Sequence, residues 1–243
     1  MTPTDDKART VRGYFNAIAG RYDLLNTLLS FGLHHLWKRR AIKAAGITPG
    51  ARVLDLCGGT ADLALRAAKA GAQSVTVCDF SPGMLSVGKI KAAAVPAVSF
   101  VCGDAQRIAC ADSSFDVVLI GFGLRNLTNR EQGLKEMLRV LRPGGRLVCL
   151  EFSTPVWPWF RLLYDFYSIS IIPTAGFLIA GSREAYEYLP DSIKKFPQPD
   201  DLAALMQAAG FRQVRYIRLN NGIAAIHTAE KPQAAAFFST RLR

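Results

Sequence analysis

Metal-binding and disulfide patterns are scarce in this chain of 243 residues. It holds three histidines and five cysteines, and no C-x-x-C pair. The cysteines, at 57, 78, 102, 110 and 149, make an odd count. Four of them fall in or beside expected strands, where a thiol packs as a small apolar group. This pattern excludes a disulfide framework and a zinc ribbon, and fits a reducing compartment. His34, His35 and His227 have no paired carboxylate at ligand spacing, so no metal site is expected. His227 lies in the last expected strand and reads as a satisfied core residue, while His34 and His35 read as surface. The dinucleotide fingerprint G-x-G-x-x-G is missing as well. No apolar run reaches the ~20 residues that cross a bilayer. The first residues, Met1-Thr2-Pro3-Thr4-Asp5-Asp6, are polar and acidic, so no secretory signal is expected there. Acids are few: 19 against 30 basic residues, a net charge of +11. From Lys7 to Lys43 eight Lys and Arg face a single acid, Asp23. Such a surface favours acidic partners, either nucleic acid or an anionic membrane face.

What is present centres on Val53-Leu54-Asp55-Leu56-Cys57-Gly58-Gly59-Thr60. Four apolar residues read as a strand buried on both faces, at the middle of a parallel sheet. Paired glycines turn the backbone sharply and let a ligand lie against it. An acid, Asp55, stands inside the strand, and a second, Asp79, ends the next strand 21 residues after Gly58. That is near the ~20-residue spacing at which a carboxylate meets ribose hydroxyls. With Phe80 beside Asp79, and with Gly103-Asp104-Ala105, these residues point to a nucleoside without a pyrophosphate, which fits S-adenosylmethionine. The glycine turn alone would equally suit any doubly wound fold.

From Ala51 onward strand and helix alternate. Strands are expected at 51–57, 74–79, 98–103, 115–121 and 145–151, with helices near 61–70, 82–94 and 129–141. Ser81-Pro82 is a capping serine with proline at the first helical position. Arg142-Pro143-Gly144-Gly145 reads as a turn ahead of the fifth strand. Two last strands, 214–219 and 223–227, flank Asn220-Asn221-Gly222, a hairpin signal. The alternation implies right-handed crossovers and a parallel sheet, whose ligands lie at the carboxyl ends of the strands. Gly58, Asp79, Asp104 and Gly121 converge there. The fold class is therefore α/β: a Rossmann-like seven-stranded sheet with an antiparallel C-terminal hairpin, as in class I S-adenosylmethionine-dependent methyltransferases, forming one domain over 1–243.

Two segments depart from this rhythm. Residues 7–46 read as a helical lid, with Val11, Tyr14, Phe15, Ile18, Leu24, Leu25, Leu28 and Leu29 at helical spacing, a break at 31–33 and a basic helix over 34–45. Residues 154–197 read as an amphipathic insertion, aromatic at 157–160 and apolar over 168–180, with Pro173 and Gly176 breaking the run. It covers an apolar substrate or lies on a bilayer, or else closes the sheet as a core helix pair.

Several motifs resemble one family. Tyr22-Asp23-Leu24-Leu25-Asn26, Leu29-Ser30-Phe31-Gly32-Leu33-His34 and Trp37-Lys38-Arg39 are similar to the N-terminal signature of the ubiquinone/menaquinone-biosynthesis C-methyltransferases. Phe122-Gly123-Leu124-Arg125-Asn126, Leu141-Arg142-Pro143-Gly144-Gly145 and the stretch from Gly181-Ser182-Arg183 to Ile193 match it too. One departure is Ala61, where the family usually has glycine. Alanine suits a helix start, so little loss is expected unless the position needs positive φ. The resemblance implies methyl transfer from S-adenosylmethionine to a ring carbon of a prenylated hydroquinone: demethylmenaquinol first, a polyprenyl-methoxy-benzoquinol or demethylphylloquinol as alternatives. It implies cofactor contacts at Thr60, Asp79, Asp104 and Ala105, and substrate contacts at Tyr22, Asn26, Phe122, Asn126, Tyr164 and Tyr186.

Carbon methylation needs a nucleophilic ring, so a phenolate stabiliser or a base is required. Arg125 is the first candidate, although a local ion pair is its plainer reading; Glu151, ending the fifth strand, is the second. The prenyl tail would keep the enzyme cytoplasmic and peripheral on an anionic membrane surface. A homodimer stays open. A nucleic-acid methyltransferase or a non-catalytic cofactor-binding subunit are the rival classes, but no RNA-binding module is visible.

Overall fold

The computed structural model describes residues 3–180 and 183–233, so Gly181-Ser182 of the quoted motif and the tail from 234 lie outside it. The sheet is built from β1 (Arg52–Leu56), β2 (Ser74–Asp79), β3 (Val98–Cys102), β4 (Phe115–Gly121), β5 (Leu141–Phe152), β6 (Arg212–Leu219) and β7 (Ala224–Glu230), in the order β3-β2-β1-β4-β5-β7-β6. All neighbouring pairs are parallel except the two made by β7, which runs antiparallel between β5 and β6. Placing β1 at the point where strand order reverses puts Gly58 at the crevice that such sheets use for ligands.

The period of two along each strand divides the core. Leu54, Leu56, Val118 and Ile120 meet Leu134 and Met137 of α6 (Arg130–Val140) and Leu202 and Met206 of α10 (Pro199–Ala208). Val53, Val75, Val77 and Leu119 meet Trp37 and Ala41 of α3 (Leu33–Ala45) and Ala64 and Ala67 of α4 (Asp62–Lys69). Asp55 lies between Val53 and Leu56 on β1 and is fully buried.

The fifth strand starts earlier than its expected bound of 145. Register jumps from Phe115–Leu141 to Val117–Arg146, so the proline-glycine stretch is a bulge inside β5. It keeps its hydrogen bonds because Gly144 N–H donates to Lys231 O and Lys231 N–H to Gly145 O, each at 2.9 Å. Gly144 sits at φ +73, a conformation glycine adopts without penalty.

The lid comprises α1 (Pro3–Ile18), a 3-10 turn over Ala19–Arg21, α2 (Tyr22–Leu29) and α3. The insertion comprises α7 (Pro158–Phe166), a π-helical turn over Tyr167–Ile171, α8 (Ile172–Ala180) and α9 (Arg183–Lys194). Pro173 has no N–H for the helical ladder and its ring crowds the carbonyl one turn back; the wider turn just before it relieves that clash. Lid and insertion share a small core of Ile18, Leu25, Ile172 and Tyr186. Tyr167 also donates to Leu29 O at 2.9 Å. No residue of α7 is fully buried, Tyr164 being half-buried, which removes the core-helix reading of its part of the insertion. No helix among the described residues is long and apolar enough to cross a membrane.

Candidate active site

A first cavity of about 300 Å³ lies along the carboxyl ends of β1 to β4. Asp55, Gly58, Gly59, Thr60, Asp79, Phe80, Asp104, Ala105 and Gly121, scattered over 67 positions of sequence from 55 to 121, all line it. Gly58 must be glycine because a Cβ would stand 2.8 Å from the Asp55 carboxyl carbon and from Val77. Gly59 sits at φ +52 and donates its N–H to Asp79 Oδ2 at 2.9 Å. Ser81 N–H donates to Asp79 Oδ1 at 2.8 Å, so one carboxylate ties the glycine turn to the loop after β2. Burial pushes the Asp79 carboxyl up, opposed by the backbone N–H groups of Ser81, Gly59 and Phe80. Asp55 Oδ2 accepts from Ala64 N–H at 2.9 Å, while its buried Oδ1 has no partner. Burial raises the Asp55 carboxyl to about 7. Asp104 is exposed and closes its own loop by accepting from Gln106 N–H at 2.9 Å.

The lid latches directly onto this cavity. Thr60 Oγ1 donates to Asp23 Oδ1 at 2.8 Å, and Lys91 Nζ donates to Asp23 Oδ2 at 2.6 Å. Asn16 Oδ1 accepts from Ser81 Oγ at 2.7 Å and from Gly83 N–H at 3.0 Å, at the start of α5 (Pro82–Lys91). Ala61, the departure noted above, sits at φ +66 with its methyl fully buried. The expectation of an ordinary helix start is thus corrected: the residue precedes α4 in the left-handed region. Cys57 and Phe122, just after β1 and β4, adopt positive φ as well, so backbone strain is present at both of these strand ends.

A second cavity, about 370 Å³, adjoins the first and shares Phe15, Tyr22 and Phe122 with it. Its wall is aromatic, with Tyr14, Trp37, Phe152, Phe160, Tyr164, Tyr167, Tyr186 and Tyr188 contributed by lid, sheet and insertion. Of the expected substrate residues, Tyr22, Asn26, Phe122, Tyr164 and Tyr186 line this cavity. Asn126 lines the first cavity instead and accepts from Tyr188 Oη at 3.1 Å. Burial pushes Tyr22 up and Tyr164 to about 12, further from ionisation than an ordinary tyrosine, which is itself neutral at pH 7.

A buried ion pair joins Arg125, on the wall of this cavity, to Glu151 behind it. Nη1 of Arg125 meets Glu151 Oε1 at 2.9 Å and also donates to Phe122 O, and the guanidinium stacks 5.3 Å from the Phe152 ring centroid. Glu151 further accepts from the N–H groups of Arg125 and Phe152 at 3.2 and 2.8 Å. Its oxygens are therefore committed, and it lines neither cavity. Arg125 lines the aromatic one, and its buried Nε has no hydrogen-bond partner.

Two readings of the histidines are corrected. His34 is buried, not superficial, and lines the aromatic cavity. Its ring and that of His35 also come together with Asp62, the three ligand atoms lying within 4.8 Å of one another. The spacing argument missed Asp62 because the fold, not the local sequence, brings α4 to α3. Lys38 Nζ already lies 2.6 Å from Asp62 and Arg66 Nε 3.5 Å, two cations that oppose a metal ion there. Lys38 itself is buried and lines the first cavity, a residue that reads in sequence as one more surface lysine of a basic helix.

Comparison with known proteins places this geometry. The ubiE/COQ5 methyltransferase family model matches residues 2–231. A ubiquinone/menaquinone biosynthesis C-methyltransferase UbiE of Rubrivivax gelatinosus is 45% identical over 95% of this chain and 90% of its own length. That of Ectopseudomonas mendocina is 44% identical over 95% and 92%. Among solved structures, an S-adenosylmethionine-dependent methyltransferase from Thermotoga maritima, described as a possible histamine N-methyltransferase, superposes with a TM-score of 0.65. It is 17% identical and covers 91% of this chain and 99% of its own, a likeness of fold. The first cavity is compatible with that cofactor: the glycine turn leaves its floor free of side chains, each Asp79 oxygen keeps a lone pair, and the buried Asp55 Oδ1 has no donor. The chain belongs to the ubiE/COQ5 methyltransferase family and is an S-adenosylmethionine-dependent C-methyltransferase, the class of enzyme that methylates ring carbon in quinone biosynthesis.

Proposed function

We propose that the chain methylates a ring carbon of a prenylated hydroquinone, converting demethylmenaquinol to menaquinol. One observation carries this reading: an aromatic cavity adjoins the cofactor cavity and holds a single buried guanidinium with an unpartnered Nε. A flat quinol ring stacks well on such walls.

In this reading Asp79 takes the ribose hydroxyls, Asp104 and Ala105 the adenine, and Thr60 with the glycine turn the methionyl part. The bound cofactor supplies an electrophilic methyl group. The rest falls to the protein. The ring carbon becomes nucleophilic as its neighbouring hydroxyl loses a proton. Arg125, permanently charged and a poor base, stabilises the phenolate so that water can accept that proton. Glu151 orients Arg125 and takes no proton itself. Tyr22 and Tyr164, neutral hydroxyls on the cavity wall, act as further donors to the ring oxygen. The lid latches at Asn16 and Asp23 exclude solvent while the reaction proceeds.

The prenyl tail then stays in the bilayer, with the enzyme peripheral to it. Trp157, Trp159, Leu162, Leu163, Phe166 and Ile169 are exposed on the insertion, and Leu24, Leu28 and Phe31 on the lid. Phe31 and Tyr167 stack at 6.0 Å, making one apolar rim beside the aromatic cavity, and Arg161 and the basic helix α3 lie near anionic headgroups in this placement.

Transfer of labelled methyl to reduced short-chain demethylmenaquinol and to a methoxy-benzoquinol analogue tests the substrate. Label in the naphthoquinol supports the reading. Label in the benzoquinol alone moves the enzyme to the ubiquinone branch, and label in neither overturns quinol methylation.

A further inference from the structure

The cofactor cavity carries two polar groups that the nucleoside part leaves unused: Lys38 and Asp55. We infer that Lys38 binds the α-carboxylate of the cofactor's amino-acid end, completing a zwitterion clamp with Asp55, the first-strand acid that the family resemblance turns toward the α-ammonium. The assignment rests on the cofactor established above and extends it to a lid residue.

Sheet order sets the direction. The cavity runs from Asp104 after β3, past Asp79 after β2, to Gly58 and Asp55 at β1 and Gly121 after β4. A nucleoside held at Asp104 and Asp79 must therefore point its amino-acid end toward β1 and β4. That is where α3 lies, packed against α4, β4, β5 and β7. Two cations line the cavity wall, Arg12 and Lys38. Arg12 is exposed on α1, which packs on α5 at the nucleoside end, whereas Lys38 is buried on α3 at the other end.

The chemistry matches at that end. Lys38 Nζ has three N–H donors, and among the described residues only Asp62 Oδ2, at 2.6 Å, accepts from it. Asp55 offers a buried oxygen without a partner. The two are near enough for the Lys38 charge to draw the Asp55 carboxyl downward against its burial. Neither group has a full complement of partners in the protein alone, and opposite charges at one end of a cavity complement a zwitterion in one orientation only. Because Lys38 rides on the lid, cofactor with its amino-acid end intact also holds the lid down.

Equilibrium binding of three ligands tests this without turnover: S-adenosylhomocysteine, decarboxylated S-adenosylmethionine and methylthioadenosine, which lacks the amino-acid end altogether. Removing one charged hydrogen-bond partner typically weakens binding by on the order of ten- to a hundredfold. Lys38→Met is expected to lose that much affinity for S-adenosylhomocysteine while holding the other two ligands within about twofold. Arg12→Ala, on the same cavity, should leave the ratio between the three unchanged. Asp62→Asn, which frees Lys38 from its competitor, should raise the preference for S-adenosylhomocysteine over methylthioadenosine. Equal losses for all three ligands in Lys38→Met would make Lys38 a purely structural link to Asp62, and no loss for any would place the carboxylate elsewhere. A fall in preference in Asp62→Asn would overturn the clamp even if Lys38→Met did not fold.

Discussion

The two cavities meet at Phe15, Tyr22 and Phe122, yet they are built on opposite plans. The first is made of strand ends and the turns that follow them, and it presents carboxylates braced by backbone N–H groups. The second is walled by helices of the lid and insertion around one ion pair. A small charged ligand needs fixed dipoles, which strand ends provide because a parallel sheet locks their spacing. A greasy ring with a long tail needs adaptable apolar walls and a door, which helices outside the sheet provide. The difference teaches where each kind of mutation should be felt.

The sharpest break is Arg125→Met. It is expected to cut turnover by on the order of a hundred- to a thousandfold, as loss of a donor to a developing anion does. Binding of S-adenosylhomocysteine should be retained, because Arg125 lines only the aromatic cavity. The variant also leaves Glu151 buried without its cation, a loss of about 3 kcal/mol or more in denaturant unfolding. Arg125→Lys should recover stability better than rate, since an ammonium cannot reproduce the stacked fork. Joint loss of rate and cofactor binding would dissolve the division between the cavities.

The first cavity was legible in the residues themselves, whereas Tyr22, Asn26, Phe122, Tyr164 and Tyr186 of the second were reached only through family resemblance, for reasons rooted in how each cavity is made. Val53 to Thr60, Asp79, Asp104 and Gly121 sit at ends of strands whose bounds follow from apolar runs and turn residues, so their convergence follows from topology alone. Five of the seven strands fell within two residues of their expected bounds; β7 runs three residues past 227, and β5 starts four residues early, its bulge hidden because partners for Gly144 and Gly145 come from Lys231, far along the chain. The aromatic cavity draws its wall from residue 14 to residue 223, with no period to connect them. Lys38, Asp62 and His34 were missed for the same reason. A lysine beside Arg39 and Arg40 carries no local mark of burial; only the packing of α3 against α4 gives it one.

Protonation offers a finer separation. Burial raises the folded-state pKa of Asp55 to about 7 from an ordinary 3.8, so the folded protein holds this proton more tightly than the unfolded chain. Its contribution to stability is fully present below pH 3.8 and is lost as pH rises to about 7. Asp55→Asn should therefore flatten the decline of cofactor-free stability over that window, as read by thermal unfolding. Cofactor binding should move the opposite way, because only the ionised carboxylate pairs with an ammonium. Affinity for S-adenosylhomocysteine should rise by up to about tenfold per pH unit below pH 7 in the native protein, and stay flatter in the variant. An identical slope in both would assign the titration to another group.

The outer edge of the second cavity gives a smaller effect. Each exposed large side chain on its rim adds a modest apolar contact to a bilayer. Trp159→Ser and Phe31→Ser should each weaken co-sedimentation with anionic vesicles by a few-fold to about tenfold, and raising salt should weaken all forms together. Neither should alter S-adenosylhomocysteine affinity. Vesicle binding that ignores both the substitutions and the salt would detach the rim from the membrane.

The smallest expected effect lies at Ala61, the junction between the glycine turn and α4. A left-handed conformation costs an alanine about 1–2 kcal/mol, which glycine would relieve. Against that, glycine gives up a fully buried methyl group, worth about 0.8 kcal/mol, and adds about 0.5–1 kcal/mol of chain entropy to the unfolded state. The opposing effects nearly cancel, so Ala61→Gly should shift the denaturation midpoint by less than the equivalent of about 1 kcal/mol. Ala61→Val should cost well over about 2 kcal/mol, because a branched Cβ fits neither the positive φ nor a site with no exposed surface. If glycine instead proved strongly stabilising, the methyl would contribute little, and the strain at this strand end would be a cost the first cavity bears without return from packing.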